Sequence, residues 1–205
     1  MNGLYPNYIA HGRLPRQIVN RALLSVKDET ALDQLLHSSP VAYGFSVNAG
    51  FYHQPDHLLN YEIGPNLNVE KENYISKCWI VNDKDHLESQ NDHVSVLNYL
   101  IHYNHYERLN DVIVQQKALQ STYSRWQRGQ ELGEITSITD AMRLLGDHEN
   151  ELFPIFRVPS QTDVNSVTLC TVHMNFLTLE LLIYQHNPKD NSPPALIYNL
   201  ADLFL

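Results

Sequence analysis

Cysteine is nearly absent from the sequence, which contains only Cys78 and Cys170 in 205 residues. Two cysteines cannot build a disulfide framework, and they do not form a Cys-x-x-Cys pair. The beginning of the chain also lacks the apolar run of a signal peptide. These absences predict a cytoplasmic protein that depends on its hydrophobic core, without a disulfide or metal, for stability.

Basic residues are scarce as well, since 14 Lys and Arg stand against 23 Asp and Glu and give a net charge of −9. An acidic chain without a basic patch is a poor match for nucleic acid or for an anionic membrane. The longest apolar stretch, 177–184, is interrupted by Thr178 and Glu180 and is too short to span a bilayer. We therefore expect neither nucleic acid nor a membrane as a partner.

The sequence has no glycine-rich phosphate loop, no His-Glu-x-x-His, no EF-hand loop and no Gly-x-Ser-x-Gly. This predicts a protein without a cofactor. Histidine is frequent, with 11 residues, and His102 and His105 are three positions apart. One helical turn would place both on one face, but no third ligand is evident nearby. Solvated or hydrogen-bonded histidines are the favoured interpretation, so we predict no metal site.

The remaining patterns predict an α+β fold in one domain, 1–205. Apolar residues at helical spacing, with capping residues, predict four helices: after Leu14-Pro15, after Asp28, at 109–130 and at 137–145. Alternating or apolar runs predict strands at 43–51, 59–63, 74–81, 167–174, 178–184 and 195–200. The polar segment 66–98 is weakly patterned apart from its strand, and we interpret it as an insertion.

Neither cysteine is a clear nucleophile. Cys170 lies in a predicted strand beside Leu169 and Val172, where a thiol behaves as a small buried hydrophobe. Cys78 follows Lys77, whose ammonium group could lower the pKa of the thiol. Adjacency in sequence is weak support for this, so a structural role is favoured for both residues.

The segment His102-Tyr103-Asn104-His105-Tyr106 follows an apolar approach at 94–101, which predicts a strand or a buried segment. An Asn at the end of a strand can donate its side-chain N–H to a developing oxyanion. It can equally cap the helix predicted from Leu109, or a turn before that helix. The residues alone leave the two roles of Asn104 equally supported.

Four blocks occur in order over nearly the whole chain. They are Asn2-Gly3-Leu4, then Leu14-Pro15-Arg16 with Arg21-Ala22-Leu23-Leu24, then Tyr103-Asn104-His105-Tyr106, and finally 168–184 with Asn187-Pro188. In this order and spacing, the chain resembles the C-terminal part of the isopenicillin-N acyltransferase family. That family comprises N-terminal-nucleophile enzymes and includes fungal penicillin acyltransferase and the insect β-alanyl-dopamine and carcinine hydrolases.

The resemblance implies an αββα sandwich that is incomplete on its N-terminal side. In the family, an N-terminal cysteine attacks an amide carbonyl and forms an acyl-enzyme, with its own α-amino group as the general base. By the same resemblance, Asn104 would be the catalytic oxyanion donor. Asn2 and His105 would be substrate-binding residues beside it.

The sequence departs from the family in two respects. The family's Cys-Thr nucleophile belongs before Asn2, and neither Cys78 nor Cys170 is positioned to become an N-terminus near the site. The arginine that precedes the last hairpin of penicillin acyltransferase would fall near Asn165, so its positive charge is absent from this sequence. We therefore expect part of an enzyme that cleaves or forms N-acyl amides, such as β-alanyl amines, and that is inactive as this chain alone.

A second chain that supplies the missing strands is a further expected partner, beside the small N-acyl amine. The alternative is a non-catalytic pseudoenzyme or interaction module that binds an N-acyl amine or a partner chain. An unrelated α+β interaction protein is the third hypothesis.

Overall fold

The computed structural model describes residues 9–68, 70–81, 93–95, 99–109, 120–159 and 167–204. The chain forms two compact units, residues 1–118 and 119–205. Each unit contains helices and a β-sheet, so the predicted α+β class is confirmed. A single 1–205 domain with an insertion near 66–98 stays a prediction, and Asn2 and Asn165 lie outside the described residues.

Two helices begin the first unit, α1 (Arg16–Leu23) and α2 (Glu29–Ser38), both where the sequence predicts them. The predicted cap of α2 is present, because Asp28 Oδ1 accepts a hydrogen bond of 2.8 Å from the Ala31 N–H. That bond satisfies one of the backbone donors that the first turn of a helix leaves without a partner.

Four strands follow in the first unit: β1 (Phe45–Phe51), β2 (Gln54–Gly64), β3 (Tyr74–Val81) and β4 (His93–Ser95). They form one sheet in the order β1-β2-β3-β4, antiparallel except for the β3–β4 pair. The strand predicted at 74–81 is therefore confirmed, and it pairs with β2 from His57 opposite Val81 to Gly64 opposite Tyr74.

The two faces of this sheet differ in chemistry. One face packs on α1 and α2 in the hydrophobic core, which consists of Val19, Leu32, Leu36, Val41, Phe45, Leu59, Tyr61 and Ile63. Because side chains alternate along a strand, the neighbouring residues lie on the opposite face. The register aligns them in two rows, Ser46–Glu62–Ser76 and Asn48–Asn60–Cys78. This second face is polar, yet Asn60, Glu62 and Cys78 are buried in it.

The second unit contains α3 (Gln120–Leu132), α4 (Ile138–Leu145), β5 (Thr171–Asn175), β6 (Glu180–Tyr184), β7 (Leu196–Asn199) and α5 (Leu200–Phe204). The strands form an antiparallel sheet in the order β5-β6-β7. The described part of the helix predicted at 109–130 begins at Gln120, and residues 110–119 lie outside the described residues.

Polar contacts fix the helices of the second unit. Ser137 Oγ accepts a hydrogen bond of 3.2 Å from the Asp140 N–H, which confirms the predicted cap of α4. Arg128 on α3 holds Asp147 with two hydrogen bonds of 3.0 and 2.9 Å. A planar guanidinium fits a carboxylate in this two-bond geometry, so the pair ties α3 to the segment that follows α4.

Candidate functional site

The segment 102–109 lies on the polar face of the first sheet and is fastened there by Glu62 of β2. His102 Nε2 lies 3.0 Å from Glu62 Oε1, and the Glu107 N–H donates to the same oxygen at 2.7 Å. The N–H groups of Arg108 and Leu109 donate to Oε2 at 2.9 and 3.1 Å. The Glu62 side chain is completely buried, so one carboxylate takes four hydrogen bonds within the protein.

His102 connects Glu62 to the edge strand β1. Its Nδ1 lies 3.2 Å from the Ser46 hydroxyl, and its side chain is 5% exposed. An ionised carboxylate only accepts hydrogen bonds, so Nε2 carries the proton that it shares with Glu62. In the neutral ring, Nδ1 then accepts from the Ser46 hydroxyl. Both ring nitrogens are engaged, which leaves His102 no nitrogen for a metal ion.

Arg108 extends the same network across the sheet. Its Nε donates to Ser76 Oγ at 3.2 Å on β3, and its guanidinium also donates to Asn60 Oδ1 on β2. Asn60 Nδ2 in turn donates to Asn48 Oδ1 on β1 at 2.6 Å. The network therefore connects three strands and places a positive charge close to the Glu62 carboxylate.

Tyr106 is the apolar anchor of the segment. Its side chain is completely buried, and its hydroxyl donates to the Ile63 carbonyl at 2.7 Å. Together with Leu109 it forms a small core against which Tyr43 and Tyr74 pack.

Asn104 lies in a bend between His102 and Tyr106, and it is exposed. Leu109 is not helical, so the described residues contain no helix for Asn104 to cap there. The His105 ring stacks on Tyr103 with centroids 6.2 Å apart, and its Nε2 lies 4.0 Å from Glu107 Oε1. The structure thus brings Asn104 and His105 together on one anchored segment, while Asn2 lies outside the described residues.

Residues 9–190 of the chain match the family described as Acyl-coenzyme A:6-aminopenicillanic acid acyl-transferase. The chain belongs to this family. No curated protein matches it. Membership in the acyltransferase family confirms the resemblance found in the sequence and indicates an acyltransferase or amide-hydrolase activity.

The described part of this acyltransferase-family chain has no helix with the length and apolar character needed to cross a membrane. Within the same ranges, no three His, Cys, Asp or Glu side chains are grouped so that they could hold a metal ion. The cytoplasmic location and the absence of a nucleic-acid or membrane partner stay predictions.

The suggestion that Lys77 lowers the pKa of Cys78 is wrong. The two residues are adjacent in β3 and point to opposite faces, and the Lys77 ammonium binds Asp33 on α2 at 3.0 Å. Burial raises the pKa of the Cys78 thiol, although the charge of Arg108 works in the other direction. Cys78 is therefore an inert, buried thiol.

The prediction that Cys170 is buried in a strand is also wrong. β5 begins one residue later, at Thr171, and Cys170 is exposed. The apolar neighbour Leu169 is 82% exposed as well, so the apolar run at 167–170 does not form part of a core.

Sequence reasoning missed the role of Glu62. The signal was a carboxylate inside the run Leu58-Leu59-Asn60-Tyr61-Glu62-Ile63, which is otherwise typical of a buried strand. A buried carboxylate requires several donors, because an unpaired charge is costly in the interior. The donors come from a segment 40 or more positions away, which periodicity does not indicate.

Burial by itself raises the pKa of Glu62. Three neighbours outweigh burial and hold the pKa of Glu62 below its ordinary value. His102 and the Glu107 N–H donate hydrogen bonds to the carboxylate, and Arg108 contributes both its charge and its N–H. Burial also raises the pKa of Glu107, with the Glu62 charge acting in the same direction. Glu62 is therefore ionised at neutral pH and keeps its four donors.

The lowered pKa predicts that acid weakens the first unit. The stabilisation from Glu62 is fully present at a pH above the pKa of Glu in the unfolded chain, about 4.3. It is lost as the pH falls through the lower pKa that Glu62 has in the folded protein. The free energy of unfolding should therefore begin to decrease below about pH 5 and continue to decrease until Glu62 is protonated in the folded state. Urea denaturation followed by circular dichroism across this range measures the slope.

Glu62→Gln should flatten that slope, because the glutamine does not titrate. Glu70→Gln is the matched control, since Glu70 is exposed and should leave the slope unchanged. An equally steep decrease in the Glu62 variant would assign the acid sensitivity to other carboxylates.

Proposed function

We propose that this chain is part of an enzyme that cleaves or forms N-acyl amides, such as β-alanyl amines, through a cysteine acyl-enzyme. Membership in the acyltransferase family supports the reaction class. The observation that carries the proposal is the position of Asn104, which is exposed between two parts of a segment that are both fastened to the sheet. A donor held in this way needs no reorganisation when negative charge develops on a substrate oxygen.

In the proposed reaction, a cysteine thiolate attacks the amide carbonyl carbon, and the carbonyl oxygen becomes an oxyanion. The Asn104 side-chain N–H donates to that oxygen. Collapse of the intermediate breaks the C–N bond, and the amine leaves with a proton from the α-ammonium group of the cysteine. Water or a second amine then attacks the thioester, gives a proton to the now neutral α-amino group and releases the thiolate. The α-amino group suits this role because its pKa is close to about 8.

The nucleophile is proposed to come from residues outside this sequence. Cys78 pairs with Asn60 in the middle of the β2–β3 ladder, so making it an N-terminus would cut β3. Cys170 lies in the second unit, one residue before β5, and is not among the residues of segment 102–109 or its described contacts. Asn2 and His105 are the proposed substrate-binding residues, and His105 adjoins the oxyanion donor.

An αββα sandwich of the N-terminal-nucleophile type is the fold that we propose for the complete enzyme. Two observations support it. The four-stranded sheet has α1 and α2 on one face and polar residues on the other, and the second unit contains a three-stranded antiparallel sheet. A partner chain that supplies further strands, and the non-catalytic alternative, stay predictions.

The proposal is tested by assaying a panel of N-acyl amines with two proteins. One is the complete enzyme purified from its natural source, and the other is the 205-residue chain. The complete enzyme should release one carboxylic acid for each amine, or transfer the acyl group to an added amine. The 205-residue chain should give no turnover.

Turnover by that chain would show that a nucleophile outside this sequence is not required. Repeating the assay with Cys78→Ser and Cys170→Ser would then show whether either thiol is responsible. Failure of the complete enzyme on every amide would favour the non-catalytic alternative.

A further inference from the structure

Glu62 accepts hydrogen bonds from residues on both sides of Asn104 in the chain. His102 precedes Asn104 by two residues, and Glu107, Arg108 and Leu109 follow it. One carboxylate thus joins the two ends of the bend that carries the oxyanion donor. Movement of this side chain would release both ends together.

The same contacts exclude a direct chemical role for Glu62. An ionised carboxylate has about four positions for accepting hydrogen bonds. Four N–H donors of the protein occupy them, and the side chain is completely buried. No position remains for a substrate proton or an attacking water, so Glu62 can act on the reaction only through the residues that it holds.

The contacts also require a carboxylate rather than an amide. Successive backbone N–H groups at Glu107, Arg108 and Leu109 converge on its two oxygens and form a concave anion site. Glutamine has the same shape but only one oxygen, and its NH₂ group would face the N–H donors. Glu62→Gln therefore removes acceptors without creating a cavity.

We propose that Glu62 is the positioning residue for Asn104, and that its ionised carboxylate sets the conformation in which segment 102–109 presents the oxyanion donor. This inference rests on the proposed role of Asn104. The hold of Glu62 on the segment can be measured separately from catalysis.

The first measurement is amide hydrogen exchange of the 205-residue chain, compared with Glu62→Gln. Exchange at Glu107, Arg108 and Leu109 should accelerate at least about tenfold, because their N–H groups lose acceptors. Exchange in the β1–β2 ladder should stay within about twofold of wild type. Glu70→Gln, at an exposed site, is the control and should change neither region. Unchanged exchange at 107–109 in Glu62→Gln would overturn the proposal.

The second measurement is a double-mutant cycle in the complete enzyme. Glu62→Gln should lower kcat by about ten- to a hundredfold with little change in KM, since it disturbs a group that acts in the transition state. In the Asn104→Ala background the same change should have almost no further effect. A purely structural role would give additive losses, which would overturn the proposal.

Glu62→Asp keeps the charge and withdraws the carboxylate by one methylene group. If Glu62→Gln does not fold, the exchange and kinetic measurements are made with Glu62→Asp instead. Partial protection at 107–109 and a smaller loss of kcat are expected. Asn104→Ala with unchanged turnover would refute the proposed function. The exchange measurement would still decide whether Glu62 holds the segment.

Discussion

Replacing Asn104 with alanine is expected to lower kcat of the complete enzyme by about a hundred- to a thousandfold, the usual loss of an oxyanion donor. KM should change little, because the donor binds the charged transition state more strongly than the neutral amide. Stability should change by less than about 0.5 kcal/mol, since the side chain is exposed and lies outside the core. Steady-state kinetics and urea denaturation of the same preparation measure both effects.

Asn20→Ala is the matched control for this experiment, because Asn20 is an exposed asparagine of α1. It should leave both kcat and stability at wild-type values. An Asn104→Ala enzyme with wild-type kcat would show that the exposed bend has no part in the chemistry. A loss of folding instead of activity would assign Asn104 a structural role.

Leu36→Ala is expected to lower the free energy of unfolding of the first unit by about 2–5 kcal/mol. Leu36 is 1% exposed, and in the hydrophobic core α2 packs against the apolar face of the four-stranded sheet. Truncation removes buried apolar surface and leaves a cavity that the surrounding strands fill only in part. Leu24→Ala is the control, since Leu24 is 81% exposed and its loss should cost less than about 0.5 kcal/mol.

Tryptophan fluorescence can follow this unit separately. The chain has two tryptophans, and Trp79 packs against the core of the first unit. A Trp126→Phe background removes the tryptophan of the second unit and leaves Trp79 as the reporter. Equal urea midpoints for Leu36→Ala and Leu24→Ala would contradict the assignment of α2 to the core.

The elements predicted best are those specified by neighbouring residues. Asp28 and Ser137 cap α2 and α4 as expected, because a cap depends on residues two or three positions away. The alternation at 43–51 likewise predicted β1, since one face of that strand meets the core. Local patterns were sufficient for these elements.

The Glu62 network could not be predicted in the same way. It requires the register that aligns Ser46, Glu62 and Ser76, together with the return of a distant segment over that face. Alternating polar residues in a strand usually indicate a solvent-exposed face. The alternation in β2 therefore gives no indication that Glu62 is buried. Asn104 and His105 are neighbours in the sequence, and nothing in the local pattern shows what holds their segment.

We propose that this chain belongs to an enzyme whose nucleophile is an N-terminal cysteine. Intact mass and N-terminal sequencing of the native protein test it most directly. We expect a longer precursor, or an active chain that begins with cysteine, and a mass increase at that cysteine after reaction with an acyl donor. A native protein that begins at Met1 and still turns over an N-acyl amide would contradict it.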